Sequence, residues 1–214
     1  MTAIVFDLDG TLVDSAPDLQ AAANRMLDEI GQPPLPLDKI VGFIGNGIPV
    51  LVRRVMQEYG LPEGDEPDLR ARMLDHYTAR PADLTRPYPG VVDTLSQLRA
   101  AGHALGVCTN KARAPAMQVL DALDLRRFFD VVIGGDSLPV KKPDPAPLQA
   151  AFDTLGSAGL YVGDSEIDAE TAAAAGYDFA LYTQGYRKAP VDALPHMLAF
   201  DDYAVLADWI TTRT

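Results

Sequence analysis

A chain of 214 residues with 48% hydrophobic and 22% charged residues has the balance of an ordinary globular protein, long enough for one sizeable domain or for one domain carrying an insertion. Its net charge of −12, from 30 acidic against 18 basic residues, argues against a nucleic-acid or anionic-membrane partner, which calls for a basic patch. A single cysteine, Cys108, excludes an internal disulfide; with no signal-peptide pattern at the start and no apolar run of membrane-spanning length, the expected location is the cytoplasm.

The first apolar run, AIVFD (3–7), reads as a short, fully buried strand. A helical stretch then interrupts the pattern. SAPDLQAAANRMLDEIG opens on Ser15 with Asp18 three residues later, which resembles a capping box. Leu19, Ala22, Ala23, Met26, Leu27 and Ile30 follow at helical spacing, as do Ile48, Leu51, Val52, Val55, Met56 and Tyr59, and then Leu69, Met73 and Tyr77. Proline and glycine cluster at 31–36, 60–67 and 81–90, and no strand pattern intervenes. Residues 15–85 are therefore expected to form an all-helical insertion after the first strand. VVDTLSQLRAAG places Val92, Leu95, Leu98 and Ala101 on one helical face and stops at Gly102, a favoured residue just past a helix end. Apolar runs at 103–110, 130–136, 159–164 and 178–183 then alternate with the helical segments APAMQVLDAL, APLQAAFDTLG and DAETAAAAG. Strands alternating with helices predict an α/β core, built from 1–14 and 86–214, with a parallel sheet covered on both faces.

Ligands of such sheets bind beyond the carboxyl ends of the strands. Asp7 and Asp9 follow the first strand, Thr109, Asn110 and Lys111 the second, Lys141 and Lys142 the third, and Asp164, Ser165 and Asp168 the fourth. Two carboxylates one residue apart repel, so a positive group is expected beside them. Carboxylates converging at one sheet edge form an oxygen-rich site that suits a hard cation such as Mg²⁺, and a lysine offsets further charge. This set fits phosphoryl chemistry. One carboxylate attacks phosphorus, a second serves as general acid and base, and a hydroxyl, main-chain N–H groups and a lysine hold the phosphoryl oxygens.

FDLDGTLVDS, VCTN, KKPDP and VGDSEIDAETAAAAG resemble, in order and form, the four motifs of the haloacid dehalogenase superfamily of phosphatases. GFIGNGIPVLVRR and YTQGYRKAPVDALPH resemble its bacterial phosphoglycolate phosphatase branch. The resemblance implies a Rossmann-like core with a helical cap inserted after the first strand. It implies Asp7 as nucleophile and Mg²⁺ ligand, and Asp9 as general acid/base that also binds Mg²⁺ through its carbonyl. Thr109 and the Asn110 backbone would bind phosphate, with Lys142 as the motif lysine. Asp164 would complete the metal site, with Asp168 supporting it. The implied reaction is hydrolysis of 2-phosphoglycolate to glycolate and phosphate. Phosphatases for other small esters such as sugar phosphates, phosphomutases and non-catalytic phosphate-binding proteins are the alternatives.

Each motif also has a plainer explanation. Asp-Gly pairs are common in turns, Thr-Asn and Asp168 are common helix caps, and lysines are ordinarily solvated. The four motifs together favour function. In the cap, Gly45-Asn46-Gly47 reads as a substrate-specificity loop, and Arg53 or Arg54 as a group that could pair with a substrate carboxylate. Gly185-Tyr186-Arg187 borders the expected site. Cys108 reads as a buried apolar side chain, and His76, His103 and His196 as structural or surface residues.

Overall fold

The structure, a computed structural model, describes residues 2–213. Strand β1 (Ala3–Phe6) leads to β2 (Val13–Asp14) and then to four helices, α1 (Ala16–Glu29), α2 (Leu37–Val41), α3 (Ile48–Tyr59) and α4 (Glu66–Thr78). The chain returns through β3 (Arg86–Pro87) and continues α5 (Val91–Ala100), β4 (Ala104–Cys108), α6 (Arg113–Ala122), β5 (Val131–Ile133), α7 (Ala146–Leu155), β6 (Gly159–Gly163), α8 (Glu166–Ala175), β7 (Asp178–Tyr182), β8 (Leu198–Phe200) and α9 (Tyr203–Thr211).

Six strands form one parallel sheet in the order β5-β4-β1-β6-β7-β8. β1 lies between β4 and β6, with Phe6 beside both Val107 and Val162. The chain builds outward from β1 to β5 on one side and then crosses to β6 on the other. The crevice where the winding reverses is where such sheets bind ligands, and Asp7 emerges there. Strand periodicity divides the core in two. Ile4 and Phe6 face one side with Leu105, Val107 and the α5, α6 and α9 side chains, while Ala3 and Val5 face the other with Tyr161, Phe152 and Leu148. Each large apolar side chain buried here contributes roughly 1.5–3 kcal/mol, a margin against the uncompensated charge gathered at the strand ends.

The helices between β2 and β3 have their own core, including Met26, Leu27, Val52, Val55, Met73 and Tyr77. Both chain crossings run through an antiparallel ribbon pairing Val13 with Pro87 and Asp14 with Arg86. These two-residue strands are too short to leave a pattern in the sequence.

Three local expectations are corrected. Ser15 and Asp18 make no capping box: Ser15 Oγ donates to Asp9, while Asp18 accepts from the main-chain N–H groups of Leu84 and Thr85 and from the Thr85 hydroxyl. The true capping box is Ser165 with Asp168 at the start of α8. On α5 the buried face is Val91, Leu95 and Leu98, with Val92 and Ala101 exposed; α5 packs on α9, where the Thr94 hydroxyl donates to the Tyr203 carbonyl at 3.1 Å. Beyond residue 183 the sequence pattern assigns no element, yet β8 and α9 complete the sheet and its cover. Tyr203 of α9 donates its hydroxyl to the Thr11 carbonyl at 2.6 Å, bracing the loop after β1.

Candidate active site

The site is built at the ends of β1, β4 and β6. Asp7 continues the β1 register through its N–H to the Val162 carbonyl at 2.9 Å, and the chain then turns tightly through Gly10. One Asp7 oxygen accepts the Leu8 N–H at 2.7 Å, and the other lies 3.1 Å from Lys142 Nζ. Asp9 does not share that lysine. Its carboxylate takes Lys111 Nζ at 2.8 and 3.0 Å and the Ser15 hydroxyl at 2.6 Å. Repulsion between the two aspartates is thus relieved by two separate lysines. The Lys111 ammonium also sits 4.6 Å from the centre of the Tyr77 ring, which the helical segment contributes. Burial alone would lower the Lys111 pKa, but Asp9 and Tyr77 outweigh it and hold the ammonium charged.

Lys142 is only 2% exposed and bonds to Asp168 Oδ1 and the Tyr161 hydroxyl, each at 2.7 Å. Asp168 is fully subscribed. Oδ1 accepts from Lys142 and Tyr161, and Oδ2 from the N–H groups of Asp164 and Ser165 and from the Ser165 hydroxyl. Capping and support of the site are therefore one arrangement. Burial would raise the Asp168 carboxyl, yet Lys142 and these hydrogen bonds prevail and hold it below its ordinary value.

Asp164 is held differently. It accepts the Thr11 hydroxyl at 2.7 Å and the Tyr186 N–H at 2.6 Å, and among the described residues no cation pairs with it. Gly10 and Gly185 close around it: a Cβ on Gly10, whose φ is +87°, would lie 2.5 Å from its Oδ2, and one on Gly185 2.3 Å from its Cβ. Only glycine permits that approach at either position. Burial pushes the Asp164 carboxyl well above its ordinary range, with Asp168 and Asp7 adding to the effect. Asp7 is likewise raised by burial, to about 7, with Lys142 opposing.

Oxygens of Asp7, Asp164 and Asp168 all lie within 4.8 Å of one another. Three buried carboxylates face the one ammonium of Lys142, so full ionisation leaves two negative charges uncompensated. That deficit matches a divalent cation, and an all-oxygen donor set suits a hard one. Since Asp168 is saturated, Asp7 and Asp164 are the carboxylates with room for a direct bond.

A cavity of about 230 Å³ opens over Asp7, lined also by Asp9, Thr109, Lys111, Lys141, the 45–47 loop, Arg70 and Leu74. It is smaller than the roughly 300–1,000 Å³ of pockets that take drug-sized ligands, so it suits a compact molecule. Thr109 is buried beside Asp7. Asn110 spends its side-chain N–H groups on the Gly45 and Lys142 carbonyls, so it ties the helical segment to the core. Gly45, Asn46 and Gly47 are thereby brought onto the core. Arg53 and Arg54 are not: Arg54 donates to the Phe43 carbonyl at 2.8 Å, Arg53 lies 4.0 Å from Glu66, and neither lines the cavity. Arg70 does, although no motif marks it.

Tyr186 was foreseeable only as a neighbour. Its hydroxyl accepts the Ser15 and Ala16 N–H groups at 2.8 and 3.0 Å and donates to Asp14, which satisfies the start of α1 from the core side in place of the missing capping box. The histidines stand apart: His76 pairs with Glu29, His103 with the Thr2 carbonyl and His196 with the Leu194 carbonyl.

Cys108 lies beneath the site, fully buried, with its thiol pushed up to about 12 by burial. A thiol-directed reagent at neutral pH should leave the native protein unlabelled for hours while modifying the denatured chain fully. Rapid labelling of the native protein, followed by mass spectrometry, would refute this placement.

Residues 4–182 match the family described as haloacid dehalogenase-like hydrolase. A phosphoglycolate phosphatase of Cereibacter sphaeroides is 51% identical over 211 residues, covering 97% of each chain. One from Rhodobacter capsulatus is 44% identical over 207 residues, covering 95% of this chain and 94% of the relative. Among solved structures, a predicted phosphoglycolate phosphatase from Haemophilus somnus 129pt superposes with a TM-score of 0.91 at 32% identity, over all of this chain and 98% of that one. With its parallel sheet, the aspartate pair after β1 and the lysine and acidic residues at the neighbouring strand ends, the chain belongs to the haloacid dehalogenase-like hydrolases.

Proposed function

We propose that the protein hydrolyses 2-phosphoglycolate to glycolate and phosphate through a phospho-Asp7 intermediate. The observation that carries the reading is the buried charge deficit at Asp7, Asp164 and Asp168, of which Asp7 opens into a compact cavity that also holds Asp9. The similarity to phosphoglycolate phosphatases over nearly the whole chain supports the choice of ester.

Asp7 and Asp164, with the Asp9 carbonyl, would hold Mg²⁺, while Asp168 keeps Lys142 in place. When bound, the ion neutralises negative charge on the transferring phosphoryl group. In the first step an Asp7 carboxylate oxygen bonds to phosphorus as the ester P–O bond breaks, and the departing glycolate oxygen takes a proton from Asp9. In the second, Asp9 accepts a proton from water as that water attacks phosphorus, releasing phosphate and restoring Asp7. Lys111 and the Ser15 hydroxyl orient Asp9 for both transfers. Thr109, the Asn110 main chain and Lys142 hold the phosphoryl oxygens. Residues 15–85 serve as a lid on the core of 1–14 and 86–214, and the 45–47 loop closes the cavity against bulk water. A single buried thiol suits a cytoplasmic reaction.

Phosphate release with Mg²⁺ should show a kcat/KM for 2-phosphoglycolate several tens-fold above that for a hexose phosphate, about 2 kcal/mol of differential transition-state binding. Equal turnover of both would refute the substrate. Transfer of phosphate between positions of a sugar, without release, would refute hydrolysis.

A further inference from the structure

The cavity over Asp7 is lined by three cationic side chains. Lys111 is ion-paired with Asp9 at 2.8 Å, and Arg70, partly exposed, stands 3.8 Å from Glu66, beyond hydrogen-bond reach. The third, Lys141, has one hydrogen bond, from Nζ to the Asn46 carbonyl at 2.8 Å, and among the described residues no carboxylate lies within 4.0 Å of it. An ammonium carries three donors, so two remain for a ligand.

Its backbone is held firmly. The Lys141 carbonyl accepts the Asp144 N–H at 2.9 Å, and the next carbonyl, of Lys142, accepts the Asn110 side chain at 3.0 Å. Adjacent lysines thus serve opposite walls: Lys142 turns inward to Asp7 and Asp168, and Lys141 outward to the cap loop. Partial burial, with the Arg53 guanidinium adding like charge, pushes the Lys141 pKa below its ordinary value. An anion placed against Lys141 would relieve both costs.

We propose that Lys141 recognises the carboxylate of the substrate, and that its bond to Asn46 ties this recognition to the seated 45–47 loop. The inference rests on the phosphoglycolate reading and assigns the part of the molecule that the phosphoryl machinery leaves unbound. Lys188 is the rival cation. It lines a smaller adjoining crevice together with Asp7, Asp9, Asp164 and Glu166, where a substrate carboxylate would meet four acidic side chains.

The test compares 2-phosphoglycolate with 2-hydroxyethyl phosphate, which replaces the carboxylate by an uncharged group of similar size. Lys141→Gln retains a donor for the Asn46 carbonyl and removes the charge. It should lower kcat/KM on phosphoglycolate by about 10- to 100-fold, mostly through KM, and change hydroxyethyl phosphate by less than about threefold. Lys141→Arg should restore most of the preference. Equal loss on both esters would mean that Lys141 only seats the loop, and would overturn the proposal. So would no loss on either, or a selective loss produced by Lys188→Gln or Arg70→Gln instead. If the wild-type protein does not prefer phosphoglycolate over hydroxyethyl phosphate, the phosphoglycolate reading falls first and the role of Lys141 with it. A retained preference in Lys141→Gln rejects Lys141 alone.

Discussion

Asp7→Asn lowers kcat by about 10⁴-fold or more while the protein stays folded, if Asp7 is the nucleophile. An amide oxygen is a poor nucleophile toward phosphorus. The fold survives because the exchange is isosteric. The Asp7 main-chain bond to Val162 is untouched, an amide oxygen still accepts the Leu8 N–H, and Lys142 keeps its 2.7 Å bond to Asp168. Removing one of three crowded, buried carboxylates also relieves part of the charge deficit, so the melting temperature should not fall. Steady-state phosphate release with a thermal melt checks both halves. Acid-quenched wild-type protein should carry a phosphoryl group on the peptide containing Asp7, and the variant none. Residual turnover above about one hundredth of wild type would remove Asp7 from the nucleophile's role.

Lys142→Met should produce the largest loss of stability. The side chain is 2% exposed and serves Asp168, Asp7 and the Tyr161 hydroxyl together. Its loss leaves two buried carboxylates facing each other with no cation between them. Breaking a buried pair from one side costs about 3–5 kcal/mol. For a chain of this size, that lowers the melting temperature by roughly 6–20 °C. Calorimetry with a chelator present, so that no added ion masks the deficit, measures it. Adding Asp168→Asn to Lys142→Met should recover a large part of the stability, because the least replaceable unpaired charge is then gone. It should recover none of the turnover if Lys142 holds the phosphoryl oxygens, as proposed. A single variant as stable as wild type would show that Lys142 is not the buried counter-charge.

Much of this site is legible in the sequence because each motif is local and each follows a buried strand. Asp7 and Asp9, Thr109 and Asn110, Lys142, and Asp164 with Asp168 are read as short strings, and a parallel sheet delivers the ends of its strands to one edge. What the strings do not contain is which charge meets which. Lys111 stands 102 residues from Asp9 and adjoins a motif without belonging to it. Lys141 and Lys142 are indistinguishable as neighbours, and only the backbone direction sends one to Asp7 and the other to Asn46.

The helical segment between β2 and β3 shows the same division. Helical spacing alone identifies α1, α3 and α4 and most of their buried faces, since burial of an apolar stripe follows from a 3.6-residue period, but five-residue α2 is too short to show one. It leaves open which end of each helix faces the core. Arg53 and Arg54 follow the 45–47 loop directly and still do not line the cavity, while Arg70, on the next long helix, does. Ser15 and Asp18 have the spacing of a capping box, yet Asp9 and the 84–85 turn claim their side chains and Tyr186, about 170 residues away, takes over the helix start. The sequence by itself determined the strand order of chemistry, the insertion and the acidic cluster, because these depend on neighbours along the chain. The tertiary structure decided the ion pairs, the helical segment's contacts and the seat of Lys141 against the Asn46 carbonyl, because these depend on packing between segments whose relative placement no local pattern encodes.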